Sequence, residues 1–173
     1  MHEATLTETP EGLVPADDGW FIVNARDIAW ETVPGGGTWC MFERRGPDRQ
    51  MLGTGIHVLG PGETPGFYHA ESEQEGFLVL AGECLAVVEG QERRMRQWDY
   101  LHCPPGTAHI TIGTGAEPCA IFMMGTRSPG HHTRYLAEPA AARHGAAVAQ
   151  ETDSPAEAYR DRPPITPVPA PWP

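Results

Sequence analysis

The chain has 173 residues, which is enough for one domain with its own hydrophobic core and too few for two ordinary domains. Its formal net charge of -11 argues against a nucleic-acid partner, which normally needs a basic surface. No apolar run approaches the length of a membrane span and the first residues are acidic rather than basic, so we expect a cytoplasmic protein that does not contact membranes.

The first part of the chain is divided by turn-forming residues. Residues 1–18 are polar and acidic, and we predict a flexible N-terminal arm there, or an added edge strand. Strands are predicted at WFIV (20–23) and TWCMFER (38–44), with a turn at PGGG (34–37) before the second. Ordered structure should therefore begin near Trp20.

From Gly53 to Gly125, short runs of β-branched and aromatic residues alternate with glycine and proline. Turn signals at this spacing are typical of a β-sandwich or a small barrel, so we predict an all-β domain over 19–127. Residues 128–162 should form a C-terminal extension, and the proline-rich tail over 163–173 should be extended.

Two short helices are predicted in the extension. They fall at PAAARHG (139–145) and DSPAEAYRD (153–161). The second has Asp153 or Ser154 as its N-cap and Pro155 in its first turn, where proline costs no hydrogen bond.

The placing of the cysteines and the absence of lysine exclude several kinds of site chemistry. The four cysteines are far apart and form no CxxC pair, so we expect buried free thiols rather than a zinc finger or a redox motif. All twelve basic side chains are arginine, which excludes Schiff-base chemistry and a lysine general base. The cysteines are Cys40, Cys84, Cys103 and Cys119.

The stretch FYHAESEQEG (67–76) holds one histidine and three glutamates with no basic neighbour. His69 and Glu71 point to the same side of a strand, and Glu73 and Glu75 share that side if the strand stays regular. The run leads into the apolar segment GFLVLAG, so this face is expected to turn inward, where the carboxylates would repel each other. A divalent cation would relieve that repulsion. The alternative is an exposed loop in which the glutamates are solvated.

A second stretch, WDYLHCPPGTAHITIG (98–113), favours the cation. Together the two stretches resemble the paired motifs of the cupin superfamily, G-x5-H-x-H-x3,4-E-x6-G and G-x5-P-x-G-x2-H-x3-N. In the first motif Gly62 opens one residue early, His69 takes the first histidine position, Glu71 replaces the second histidine, and Glu75 and Gly82 follow in place.

The second motif departs from the pattern at its ends. Trp98 replaces the opening glycine and Gly113 the closing asparagine, while Pro104, Gly106 and His109 are in place. Tryptophans such as Trp98 are expected to pack in the core or in a dimer interface.

The cupin resemblance implies an antiparallel β-barrel, or jelly roll, often in a homodimer, with a metal in its mouth. One divalent ion of Fe, Zn, Mn or Ni is expected, with His69, Glu75 and His109 as ligands. Glu71 is then a fourth ligand, a partner that orients an imidazole, or an acid/base group beside the metal. Two histidines and two carboxylates would leave the site formally neutral, which favours neutral or weakly acidic substrates over oxalate-type ones.

Two function classes stay open at this point. One is a metal-dependent enzyme that oxygenates, isomerises or hydrolyses a small molecule, with Glu71 as general base and oxygenase chemistry slightly favoured. The other is a non-catalytic cupin that binds a metal or small ligand as a sensor or accessory protein. His57 is a candidate pocket residue. His131 and His132 are expected in a solvated loop, or in a mobile segment that covers the barrel mouth.

Overall fold

The computed structural model describes residues 2–44 and 51–171. Its regular secondary structure is almost entirely β, with antiparallel pairing between all named strands and two four-residue helices. The strands are β1 (Leu6–Thr9), β2 (Gly12–Pro15), β3 (Trp30–Thr32), β4 (Thr38–Met41), β5 (Leu52–Leu59), β6 (His69–Glu71), β7 (Glu75–Ala81), β8 (Glu83–Val88), β9 (Gln91–Arg96), β10 (Tyr100–Cys103), β11 (Ala108–Gly113), β12 (Cys119–Thr126), β13 (Thr133–Tyr135) and β14 (Thr166–Val168).

Two sheets face each other. The larger has seven strands in the order β10-β7-β12-β5-β4-β3-β14, and the smaller has five in the order β13-β6-β11-β8-β9. The core between them takes side chains from both sheets, including Leu59, Val79 and Ile121 from one and Cys84 and Ala86 from the other. This is the all-β architecture predicted from the spacing of the turns.

The N-terminal segment differs from the predicted pattern at WFIV. Strands β1 and β2 form a hairpin, but residues 21–24 form no strand and Ile22 is 83% exposed. Trp20 makes only an isolated bridge to Glu3. The segment instead uses the side chains of Val23 and Ala25, which pack against the cluster around Trp30 on the outside of the seven-stranded sheet. Apolar composition therefore reflected packing and not backbone pairing.

The C-terminal extension packs on the barrel. Helix α1 (Pro139–Ala142) places Ala140 and Ala141 in a buried cluster with Ile110 and Ile112 on the outside of the five-stranded sheet. Helix α2 (Pro155–Ala158) begins at the predicted cap, since the side chain of Ser154 accepts a hydrogen bond from Glu157 N.

Further along, β14 joins the edge of the seven-stranded sheet by pairing with β3. Both helices fall within the segments predicted to be helical.

Two further predictions have clear outcomes. All four cysteines are buried and free, as expected. Trp98 is not a core residue, because it is 68% exposed in the turn between β9 and β10. Its backbone has φ 76°, in the left-handed region that a glycine adopts without strain. The turn thus keeps the conformation of the motif's glycine although the glycine is missing.

Candidate metal centre

Two histidines lie side by side on the inner face of the five-stranded sheet. His69 on β6 is the register partner of His109 on β11, and their ring centroids are 5.0 Å apart. Nδ1–H of His69 donates to the carbonyl of Phe67 at 2.6 Å, and Nδ1–H of His109 donates to that of Thr107 at 3.0 Å. Since a carbonyl only accepts, each Nδ1 carries the proton. Both Nε2 atoms are therefore left with a lone pair, the state in which imidazole binds metals.

A carboxylate from the opposite sheet completes the group. Glu75 is the first residue of β7, and its Oε2 lies 3.3 Å from Nε2 of His109. The ligand atoms of His69, Glu75 and His109 all lie within 4.8 Å of one another, close enough to share one ion. Two imidazoles and one carboxylate form a donor set that suits Zn and first-row transition metals.

The electrostatics of the group fit a cation. Desolvation, followed by the charge of Glu71, raises the pKa of Glu75 to about 8. Desolvation, followed by the charge of His69, lowers the pKa of His109 to about 4 against the opposing hydrogen bond to Thr107. Desolvation also lowers the pKa of His69, although Phe67 and Glu71 oppose it. The protein alone thus keeps this site free of charge, while a cation would favour the ionised carboxylate.

The strongest sign of a missing partner is on His109. The residue is 2% exposed, and its buried Nε2 makes no hydrogen bond within the described part of the chain. Buried polar atoms are normally satisfied, so an atom of this kind needs an explanation. A metal ion bound between His109 and Glu75 supplies one.

Glu71 lies beside this group and is not a member of it. Its Oε1 is 3.9 Å from Nε2 of His69, whereas its Oε2 is 3.3 Å from Nε2 of His131. The hydroxyl of Thr133 donates to Oε1 at 3.4 Å, from a strand that pairs with β6 at Glu71. The carboxylate is thus held from the side of the barrel mouth that faces β13.

His131 was not named as a site residue from the sequence. It was expected in a solvated loop, with a segment over the barrel mouth as the alternative, and its side chain is half-buried against Glu71. The pairing of β13 with β6 brings the segment just before β13 over the end of β6. The only local signal was the Pro-Gly pair at 129–130, which marks a turn but does not show where the turn leads.

The expectation for Glu73 was wrong. The chain does not run straight from β6 to β7, because residues 72–74 form a bend between them. The side chain of Glu73 instead accepts hydrogen bonds from Ser128 and Thr126 on the segment at the end of β12. Glu75 still points inward, because it begins a new strand and not because it continues the alternation of β6.

His57 lies on the inner face of β5, opposite Trp39 and Ile121, and outside the three-residue group. Its ring meets that of Trp39 edge-on at 5.7 Å, and its buried Nδ1 makes no hydrogen bond in the described residues. Desolvation, followed by the charge of Arg162, lowers its pKa to about 4. At neutral pH it is therefore an uncharged imidazole.

A cavity of about 270 Å³ adjoins the group. It combines carboxylates and a histidine with the flexible side chains of methionine. Its lining includes Met41, Glu71, Glu75, Phe77, Met123, Met124, Arg127, His131 and Thr133. A small molecule in this space would contact Glu71 and Glu75 directly.

Comparison with known proteins agrees with the paired motifs. Residues 55–125 match the family model described as a cupin domain. The chain contains a cupin domain. The resemblance inferred from the two motifs is thereby confirmed, as is the antiparallel jelly-roll class of the fold.

Three solved structures are similar to parts of this chain. A sugar phosphate isomerase of the cupin superfamily from Silicibacter pomeroyi has a TM-score of 0.50 and 22% identity over 59% of this chain and 66% of its own. A putative sugar phosphate isomerase from Acidithiobacillus ferrooxidans has a TM-score of 0.48 and 19% identity over 58% of this chain and 65% of its own. The DMSP lyase DddQ from Ruegeria pomeroyi has a TM-score of 0.44 and 20% identity over 52% of this chain and 46% of its own.

The chain therefore spans slightly less than two thirds of the first of these structures. Comparison with curated proteins gave no match. Within the residues described here, no helix is long and apolar enough to cross a membrane.

Proposed function

We propose that this cupin is a metal-dependent enzyme acting on a small neutral or weakly acidic molecule. The ligands would be His69, Glu75 and His109, and the reaction would be an oxygenation, isomerisation or hydrolysis. The observation that carries the proposal is the buried Nε2 of His109, which has no hydrogen-bond partner in the described chain and faces Glu75. When bound, a divalent ion would act as a Lewis acid for the substrate or for water.

The residues around the ion would hold its ligands in the orientation that binding needs. The carbonyls of Phe67 and Thr107 fix the two imidazole rings, so that neither histidine has to reorient when the ion enters. Glu75 reaches across from the facing sheet, which ties the two sheets together at the site. Phe77 packs against His109 at a ring distance of 5.0 Å and keeps water from that side.

We assign Glu71 the role of general base. It lines the cavity but lies outside the three-residue group, and its oxygens are already oriented by His131 and Thr133. A carboxylate held beside the metal can take a proton from the substrate at Oε1, the oxygen nearer to His69. His131, in contact with Oε2, would stabilise Glu71 after this proton transfer.

The first experiment is elemental analysis of the purified full chain after expression in metal-replete medium. We expect one transition-metal or zinc ion per chain. Iron would direct the activity screen to oxygen consumption with phenols and diketones, and zinc would direct it to esters and sugars. A chain without stoichiometric metal would refute the proposal.

The role of Glu71 is tested by Glu71→Gln, with Glu73→Gln as the matched control, since both remove one charge from the same short segment. Glu71→Gln should keep its metal and lose about 100-fold or more of turnover. Glu73→Gln should keep both metal and turnover. Loss of metal in Glu71→Gln would instead make this residue a ligand. Metal-loaded protein without turnover on any substrate class would favour a non-catalytic binding protein.

A further inference from the structure

Arg162 differs from the other half-buried arginines of the described chain in having no carboxylate partner there. Three arginines are half-buried, and two of them have carboxylate partners: Arg127 pairs with Glu43, and Arg44 lies 3.2 Å from Asp18. Arg162 makes no ion pair in the described residues, although the chain has nearly twice as many acidic as basic side chains. A half-buried guanidinium without a counter-charge is costly, so a ligand that supplies the charge would stabilise it.

The guanidinium is nevertheless held in place. Nη2 donates to the carbonyl of Pro65 at 3.2 Å, and Cζ lies 4.9 Å from the centroid of the Tyr159 ring. These two contacts hold the guanidinium over the Tyr159 ring but use only one of its five N–H donors. The remaining donors keep the fork geometry that matches carboxylate and phosphate groups.

The backbone leaves room for these side chains. A Cβ on Gly36 would come within 2.8 Å of Nη2 of Arg162, and a Cβ on Gly66 within 2.4 Å of the Tyr159 hydroxyl. Neither glycine has a positive φ, so a side chain at either position would have to displace its neighbours, which are Val33 and Arg162 at Gly36 and Tyr159 at Gly66.

Arg162 lines a cavity with polar and aromatic walls. The cavity has a volume of about 340 Å³, and Thr64, Phe67 and Tyr159 are among its other lining residues. The ring of Tyr159 stacks on that of Phe67 at 5.2 Å. The space is within the size range of small-molecule sites, and it combines the guanidinium of Arg162 and two aromatic side chains with the exposed carboxylate of Asp161, which makes no ion pair with Arg162 in the described residues.

The cavity adjoins the candidate metal centre through shared residues. The carbonyl of Phe67 holds Nδ1 of His69, and the ring of Tyr135 lies 6.0 Å from that of His69 and 5.4 Å from that of Tyr159. The charge of Arg162 also reaches inward, since it contributes to the low pKa of His57. Arg162 thus supplies a positive charge close to the barrel interior and away from Glu71 and Glu75.

We propose that Arg162, with Tyr159, forms a binding site for the anionic group, carboxylate or phosphate, of a small-molecule ligand. The site is distinct from the three metal-binding candidates. An acidic ligand would then take its counter-charge from Arg162 and not from the ion.

The test is calorimetric titration of the metal-free full chain with inorganic phosphate and, separately, with acetate. We expect saturable binding of at least one probe, weakened about tenfold or more in Arg162→Gln. Arg160→Gln is the matched control, because Arg160 is exposed on the same segment and its side chain makes no hydrogen bond or ion pair in the described chain. Arg162→Lys keeps the charge without the planar fork and should bind more weakly than the wild type but better than Arg162→Gln.

The outcomes separate this site from the metal centre. Absence of saturable binding, equal binding by wild type and Arg162→Gln, or equal loss in Arg160→Gln would refute the anion site. If Arg162→Gln does not fold, unchanged binding by Arg162→Lys would refute it as well. Phosphate binding that persists in His109→Ala, whatever its metal content, supports a site independent of the ion.

A second titration shows whether the anion belongs to a larger ligand. Glycerol 3-phosphate is compared with inorganic phosphate on metal-free and metal-loaded protein. A ligand whose hydroxyl end reaches the ion should gain affinity from metal loading, whereas an anion bound by itself should not. Both results support the site, and they distinguish a substrate anchor from a separate anion site.

Discussion

The two faces of the five-stranded sheet carry opposite chemistry on the same strands. On β11 the side chains of Ile110 and Ile112 point outward into a buried apolar cluster closed by Ala140 and Ala141. The side chain of His109, between two outward-facing neighbours, points inward to Glu75. Both faces are buried, but one is filled by the protein itself, whereas the other presents an imidazole whose Nε2 has no hydrogen-bond partner in the described residues. Burial alone therefore does not identify a site, whereas burial of an unsatisfied polar atom does.

The largest effect is expected from removing the inner-face imidazole. His109→Ala should weaken metal binding by about 100-fold or more while the barrel stays folded. His102→Ala is the control, since His102 belongs to the same motif and is exposed. Elemental analysis after dialysis against a weak chelator measures the difference. Equal metal content in the two variants would remove His109 from the proposed ligands.

On the outer face, truncation should affect stability and not metal content. Ile110 is 2% exposed, so Ile110→Ala should lower the free energy of unfolding by about 2–5 kcal/mol through lost burial and a cavity. Ile22→Ala, at a site 83% exposed, should change it by less than about 0.5 kcal/mol. Urea unfolding of the metal-free protein measures both. Loss of metal from folded Ile110→Ala would show that the two faces are not independent.

A smaller effect is expected from the titration of Glu75. Because its pKa rises from 4.5 to about 8 on folding, the metal-free folded state binds more protons than the unfolded state between these values. This contribution to stability is fully present below pH 4.5 and is lost as the pH rises through about 8. The melting temperature of metal-free wild type should therefore fall over this range relative to Glu75→Gln.

The titration of His109 changes the stability with pH in the opposite direction. Its pKa is lowered to about 4, so its contribution is present above pH 6.5 and is lost as the pH falls through about 4. Comparison of wild type with Glu75→Gln isolates the carboxylate because both proteins keep His109. Metal loading should suppress the pH dependence due to Glu75, since the ion favours the ionised form. Parallel pH profiles of the two metal-free proteins would contradict the raised pKa of Glu75.

Much of the site was predictable from local sequence. The alternation of side chains placed His69 and Glu71 on one face, and the paired motifs indicated that His109 would join them. The position of Trp98 in the motif matches its left-handed backbone, but its exposure was not predicted. The bend at 72–74 was missed as well, because the period-two rule holds only while the strand continues.

The sequence by itself determined the class of the fold, through the spacing of its turn signals, and the candidate ligands His69, Glu75 and His109, through the resemblance of two short stretches to the cupin motifs. The tertiary structure decided which distant segments complete the site. His131 reaches Glu71 through the pairing of β13 with β6, and Arg162 reaches the cavity beside Phe67 across 95 residues of chain. Contacts of this kind depend on packing between remote elements, which periodicity within one segment does not encode.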